Sequence, residues 1–205
     1  MGVSYPDDLT LREARQRYFE ANNFGPNGGY DDKWVDFKLG PIPFPFRNSP
    51  ARVKAVRFHD LHHVLTGYAT DIVGEFEISG WEIAAGCKSM VAAWALNLGG
   101  MGAGLFRCPK RTFAAFVRGR RQASLYDQDY DALLDMTVGE ARAKFAPRAG
   151  DDGARASDVA LYAASTVAGL VLGALMFSVF VPLVPFGLVA QQMRKRDERD
   201  LKRTS

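Results

Sequence analysis

Cysteine is nearly absent from this chain of 205 residues, with Cys87 and Cys108 the only two. That excludes a disulfide framework and fits a reducing compartment. Histidine is as scarce: the three present, His59, His62 and His63, fall within five consecutive positions. The opening stretch MGVSYPDDLT has no basic region leading into an apolar run, so no secretory signal is evident. Gly2 is followed by Pro6 where myristoylation wants Ser or Thr. An excess of one charge is missing too, with 26 Lys and Arg against 23 Asp and Glu and a net +3. Residues Arg194 to Ser205 hold six basic and three acidic side chains, so this tail accounts for the whole excess. The pI of about 8.9 therefore describes a tail and not a nucleic-acid-binding surface.

What is present is a globular composition, 47% hydrophobic and 24% charged, which excludes disordered and fibrous classes. The mean hydropathy of −0.13 conceals an uneven distribution, because the 35 residues from Val159 to Met193 carry no charge at all. The chain divides into an N-terminal extension over 1–48, a helical domain over 49–147, a linker over 148–158 (within PRAGDDGARASD), a hydrophobic membrane segment over 159–193 and a basic tail over 194–205. The expected fold is mostly α, a helical domain with a helix-turn-helix metal site, plus a C-terminal hydrophobic membrane-anchoring helix or hairpin.

Local signals place the helices. Thr10-x-x-Glu13 and Thr137-x-x-Glu140 read as capping boxes, opening short helices to about Ala21 and Phe145. Residues 22–30 are turn chemistry, and Trp34–Leu39 is a short strand candidate. The prolines of Pro41-Ile-Pro-Phe-Pro-Phe46 forbid helix and predict an extended, polyproline-like stretch. Ser49 followed by Pro50 starts a helix running to about Leu65, with Gly67 as terminator. Thr70 or Asp71 caps the next, expected from Ile72 to Leu98 before Gly99-Gly100. Pro109 to Ser124 reads as a third long helix whose basic residues (Lys110, Arg111, Arg118, Arg120, Arg121) form a solvated face rather than an anion site.

His59 and His63 stand four apart near the end of the Ser49–Leu65 helix, so both imidazoles can address one point. Glu75 lies twelve residues beyond His63, three into the next helix, where a tight turn can return its carboxylate to that point. Two histidines plus carboxylates around an open position is a pattern that suits Zn²⁺ or Fe²⁺. Asp60, about 100° around the helix from His59, is either a ligand at the edge of the site or an orienting residue and proton acceptor. Glu82 is a further carboxylate on the face of Glu75. His62 is expected to point away, at the surface or behind the ligands. Three histidines are too few for a membrane di-iron desaturase, and HExxH is absent because position 60 is Asp.

The pattern H-D-x-x-H, then eleven residues and Glu, filled by His59, Asp60, His63 and Glu75, resembles the Coq4 family of ubiquinone-biosynthesis proteins. The surrounding HDLHHVLTGYATDIVGEFEISGWE and the later RGRRQASLYDQDYDALLDMTVGEARAKF are similar to that family over roughly Ser49–Pro147. The resemblance implies a mostly helical fold and a divalent metal, zinc or iron, held by His59, Asp60, His63 and Glu75, with Asp60 and Glu75 the residues expected to carry chemistry. It also implies peripheral membrane association and work on a prenylated aromatic headgroup. That work is either metal-dependent oxidative decarboxylation of a hydroxybenzoate-type precursor or organisation of the enzymes that perform it. A non-catalytic polyprenyl-lipid scaffold with a structural metal and a metal-dependent lipid or phosphoester hydrolase are the alternatives.

Val159 to Val181 is 23 residues, about 35 Å as a helix and enough to cross a hydrocarbon core. Ser165, Gly169 and Gly173 form a small-residue stripe suited to close helix contact, and with it to a homodimer. Pro182 and Pro185 suggest a shallow bent hairpin with both ends on one side; a buried core helix is the alternative. Ser89 to Phe106 is a second uncharged run, expected as a core helix plus an apolar loop around Gly99–Gly102 that lines a channel for an isoprenoid tail. The implied partners are a polyprenyl-quinone precursor or other isoprenoid lipid, the membrane and other quinone-biosynthesis proteins. The implied location is the cytoplasmic face of a bacterial inner membrane, or the mitochondrial inner membrane in a eukaryote.

Overall fold

The computed structural model describes residues 4–39, 42–147 and 153–180, together with 182, 185, 188, 189 and 192. Linker residues 148–152, residues 183–184 where a hairpin would turn, and the basic tail 194–205 lie outside the described residues. The chain is mostly α: α1 (Leu11–Asn22), β1 (Trp34–Leu39), β2 (Ile42–Arg47), α2 (Pro50–Thr66), α3 (Ile72–Ala85), α4 (Val91–Arg107), α5 (Pro109–Gly119), α6 (Tyr130–Asp135), α7 (Val138–Phe145) and α8 (Ala156–Phe180).

The caps form as their sequences dictate. Both capping boxes close, Thr10 with Glu13 and Thr137 with Glu140. The two turns lie side by side, with Leu11 N–H donating to Met136 O at 2.8 Å and Val138 N–H to Leu9 O at 2.8 Å. This joins the start of the chain to α7 and seals a core that includes Leu11, Phe19, Leu61, Leu65, Trp81 and Phe116. Ser49 caps α2 with Pro50 behind it, and Gly67 ends it in the left-handed region at φ 76°. The last carbonyls of α2 are met by two arginines: Arg142 donates to Val64 O and Leu65 O, Arg118 to Thr66 O. Cations at this end also suit the helix dipole.

Three expectations are corrected. The proline stretch is extended but not solvated polyproline: β2 pairs antiparallel with β1, in register from Trp34↔Arg47 to Leu39↔Ile42. Pro43 and Pro45 are two apart, so their missing N–H groups fall on one edge of a two-stranded ribbon, where no partner is lost. The long helix expected from Ile72 to Leu98 is instead two, parted by Gly86 (φ 97°) and Lys88 (φ 51°). The helix expected over Pro109–Ser124 ends at Gly119, and α6, capped by Asp129, was not anticipated.

The glycines of α4 explain the second error. They do not interrupt the helix; they let it touch neighbours on opposite sides. A Cβ at Gly100 would stand within 2.3 Å of Ser79 Oγ on α3, and one at Gly104 within 2.6 Å of Thr112 Oγ1 on α5. A Cβ at Gly102 would be 3.2 Å from Gly169 C on α8, and one at Gly169 would reach within 2.1 Å of Leu98 O. The stripe in α8 thus serves contact within the chain, at Gly169, while nothing lies within 4 Å of a Cβ at Gly173. Tyr162 of α8 packs edge-on to Phe113 and Phe116, and Asp158 pairs with Arg120 and Arg121.

Overpacking of this kind costs about 1–3 kcal/mol, so Gly169→Ala is expected to lower the free energy of unfolding by that amount. Gly173→Ala is expected to be neutral or to stabilise by about 0.4–1 kcal/mol through the unfolded chain. Denaturant titration of both variants in detergent checks the pair; equal effects would contradict the α4–α8 crossing.

Candidate metal centre

The turn between α2 and α3 delivers the carboxylate to the histidines. Asp71 caps α3 by accepting from Val73 N–H and Gly74 N–H at 3.1 and 2.8 Å. Gly74 lets the turn close, since a Cβ there would lie 2.0 Å from Ala69 O. Glu75, the next residue, then faces the end of α2. Its Oε2 is 3.4 Å from His59 Nε2, its Oε1 is 3.4 Å from His63 Nε2, and the two Nε2 atoms are 3.1 Å apart. A tetrahedral ion with ligands at about 2.0–2.1 Å separates them by roughly 3.3 Å. Each separation is close to one edge of such a tetrahedron, with His59 and His63 meeting different oxygens of the one carboxylate. Among the described residues this is the group that could hold an ion. His63 is 1% exposed and the Glu75 side chain 42% exposed, so the group borders solvent on its Glu75 side.

The opposite edges of both rings are fixed. His63 Nδ1 lies 3.0 Å from the carbonyl of Tyr68, an acceptor only, so this nitrogen carries a proton and Nε2 is the atom turned toward Glu75 and His59. His59 Nδ1 donates to Glu82 Oε1 at 2.9 Å. Tyr18 stacks on His63 with ring centroids 5.6 Å apart.

Asp60 is not drawn into this triangle. Its Oδ1 accepts from Tyr18 OH at 3.3 Å and its Oδ2 from Tyr30 OH at 2.5 Å. The Asp60 carboxylate is thus engaged beside the centre. Burial raises its pKa above the ordinary aspartate value, although His59 and Tyr30 pull the other way. Tyr30 also lines a cavity of about 780 Å³ on the far side of α2, with Lys54 and Arg57 among its walls.

His62 does not sit at the surface. It is fully buried, with Nδ1 donating to Glu82 Oε1 at 2.6 Å and Nε2 accepting from Leu125 N–H at 2.8 Å. Residues three apart on a helix are neighbours as surely as those four apart, so His62 flanks His59 on one side and His63 on the other. Glu82, 0% exposed, gathers the donors: His59 and His62 on Oε1, Tyr126 OH at 2.6 Å and Asn97 Nδ2 on Oε2. Tyr18, Tyr30, Asn97 and Tyr126 were not anticipated. The signal that existed was the seven-residue interval from Glu75 to Glu82, which sets both on one face of α3. The basic residues of α5 are engaged too, Arg111 in a two-point ion pair with Glu77 and Arg118 over the Tyr68 ring.

Electrostatics follow from this wiring. Burial lowers the basicity of His59, but Glu82 and Glu75 outweigh it and hold the ring well above its usual pKa. Burial raises Glu82, and His59 and His62 overcome it and hold the carboxyl well below the ordinary range. Burial likewise raises Glu75, yet hydrogen bonds from His59 and His63 bring it down to about 2. Any cation entering the triangle would displace the proton His59 holds there.

No family model, curated protein or solved structure matches the chain.

A carboxyl whose folded pKa is depressed binds its proton more tightly in the unfolded chain, so protonation favours unfolding. The Glu75 contribution is complete above its ordinary value of 4.5 and is lost as pH falls toward about 2. The melting temperature of metal-free protein is expected to drop across that window, and less steeply in Glu75→Gln. Circular dichroism melts at a series of pH values measure the difference; parallel curves would contradict the assigned ion pairs.

Proposed function

We propose that this chain is a membrane-associated, Coq4-like metalloprotein that binds a divalent cation through His59, His63 and Glu75 and acts on a carboxylated, prenylated aromatic headgroup of ubiquinone biosynthesis. The observation that carries the reading is the convergence of two Nε2 atoms, 3.1 Å apart, on the two oxygens of Glu75, each oxygen 3.4 Å from one ring. A closed structural site would present four protein ligands; here the fourth place is left for an oxygen of the substrate. A bound divalent cation would polarise a ligated ring carboxylate, and iron rather than zinc would supply the redox capacity that oxidative decarboxylation needs. Glu82 and the Tyr68 carbonyl hold the Nδ1 edges of His59 and His63, so that both Nε2 atoms would offer their lone pairs to a bound cation. Asp60, held by Tyr18 and Tyr30, stands next to the rings as a proton acceptor.

Attachment to the bilayer is proposed through α8 and α4 together. Ala156–Met176 is the one candidate membrane span among the described residues, 21 residues with mean hydropathy 2.0. Standing upright, it would carry Gly169 about 16 Å beyond Asp158, near the mid-plane. Gly169 is in contact with α4, which in turn packs on α3, so an upright span would draw the metal ligands into hydrocarbon. An oblique seating avoids this: Val167, Val171 and Leu175 of α8 and Val91, Leu96 and Phe106 of α4 are exposed apolar side chains that then face lipid together, Val91 at 79% and Phe106 at 77%. The domain remains on one side, proposed to be the cytoplasmic side of a bacterial inner membrane or its mitochondrial counterpart.

Anaerobically purified protein is expected to carry about one zinc or iron per chain by mass spectrometry of the metal, and His63→Ala to carry almost none. Lipid extraction from the same preparation is expected to release a prenylated phenolic acid. A metal-free wild type would overturn the ligand assignment, and normal quinone levels in cells bearing stable Glu75→Gln would favour a scaffold over an enzyme. Exchanging Val91, Leu96 and Phe106 for Ser should reduce the fraction of full-length protein that floats with anionic liposomes. Unchanged flotation would leave α8 as the sole anchor.

A further inference from the structure

We infer that Glu82 is a positioning residue for the metal centre: a buried carboxylate that never reaches the ion but fixes which nitrogen of His59 faces it. This rests on the metal reading above. Glu82 Oε1 takes the Nδ1 proton of His59 at 2.9 Å, which commits the ring to pointing Nε2 at Glu75 and His63. Carboxylates in this role orient a ligating imidazole and raise its basicity.

The anchor is itself immobilised, which separates it from an incidental ion pair. The same Oε1 takes the Nδ1 proton of His62, whose Nε2 accepts from the Leu125 amide. An amide can only donate, so His62 is a neutral ring with its proton on Nδ1, and it has no lone pair to offer an ion. His62 is therefore a strut between Glu82 and the backbone at Leu125. On the other side, Asn97 from α4 and Tyr126 donate to Oε2. With both oxygens saturated by donors, the carboxylate has one orientation available, and His59 inherits it. Glu75 is left as the exposed acid that meets the ion, Glu82 as the buried one that aims a ligand.

The experiment uses full-length protein in detergent. Zn²⁺ affinity is measured against a chromophoric chelator, and the ligand field is read from the visible bands of the Co²⁺ form. Glu82→Gln keeps the side-chain volume but lets an amide N–H face Nδ1, inviting the proton onto Nε2. It is expected to bind Zn²⁺ about 10- to 100-fold more weakly than wild type, with altered Co²⁺ bands. Tyr126→Phe removes one of the two donors on Oε2 and leaves the Oε1–His59 bond in place, so it is expected to lower the melting temperature and to weaken Zn²⁺ binding by less than Glu82→Gln does. If Glu82 acts through His59, adding Glu82→Gln to His59→Ala should weaken binding no further. Should the Gln variant not fold, Glu82→Asp, which withdraws the oxygen from His59 while keeping the charge, takes its place with the same expectation. Wild type that binds metal alongside a Glu82 variant of equal affinity and unaltered bands overturns the positioning role alone. Wild type that binds no metal overturns the metal reading and this inference together.

Discussion

One buried negative charge organises the centre of this protein. A carboxylate at zero exposure is tolerated only when donors replace the water it has lost, and Glu82 collects four. They come from distant stretches: His59 and His62 from α2, Asn97 from α4, Tyr126 from the segment between α5 and α6. Satisfying that charge fixes α2 against α3, draws α4 in behind them and fastens the Leu125 backbone to His62. The more visible triangle of His59, His63 and Glu75 is held in shape by this network behind it. Asp60 and its two tyrosines are a second, separate brace on the other flank of α2.

Much of this was legible in the sequence because the signals were local. Capping boxes, the Ser49-Pro50 start, the Gly67 stop and the i, i+4 histidines are all short-range patterns with a single physical reading, and the structure follows them. Glu75 could be placed because a tight turn between two helices leaves few arrangements. What escaped depended on tertiary contact. Asn97 and Tyr126 are ordinary residues until a carboxylate is brought to them from 15 and 44 positions away. Asp60 reads from sequence as either a ligand or an orienting residue, and the two tyrosine hydroxyls on its oxygens come from the first thirty residues, beyond any local pattern. Of the two places open to His62, the surface or behind the ligands, the structure takes the second, and the three-residue spacing from His59 is the local signal for it.

Glycine was the other source of error. In isolation, Gly99, Gly100 and Gly102 look like the end of a helix, because glycine costs about 1 kcal/mol in a helix interior relative to alanine. Here the cost is offset by close packing on two sides at once. The true break falls at Gly86 and Lys88, where the backbone enters the left-handed region, and one sequence offers no means of distinguishing the two kinds of glycine before the neighbours are known.

That packing makes α4 an incompressible spacer. Backbone against backbone at α8, and glycine against the small Ser79 side chain at α3, it separates the two, so the axes of the outer pair stand about two interhelical spacings apart, roughly 16–20 Å. Movement of α8 would therefore reach Glu75 as displacement of a rigid slab and not be absorbed on the way. The distance between α8 and the cluster of His59, His63 and Glu75 is in effect a ruler cut by glycines.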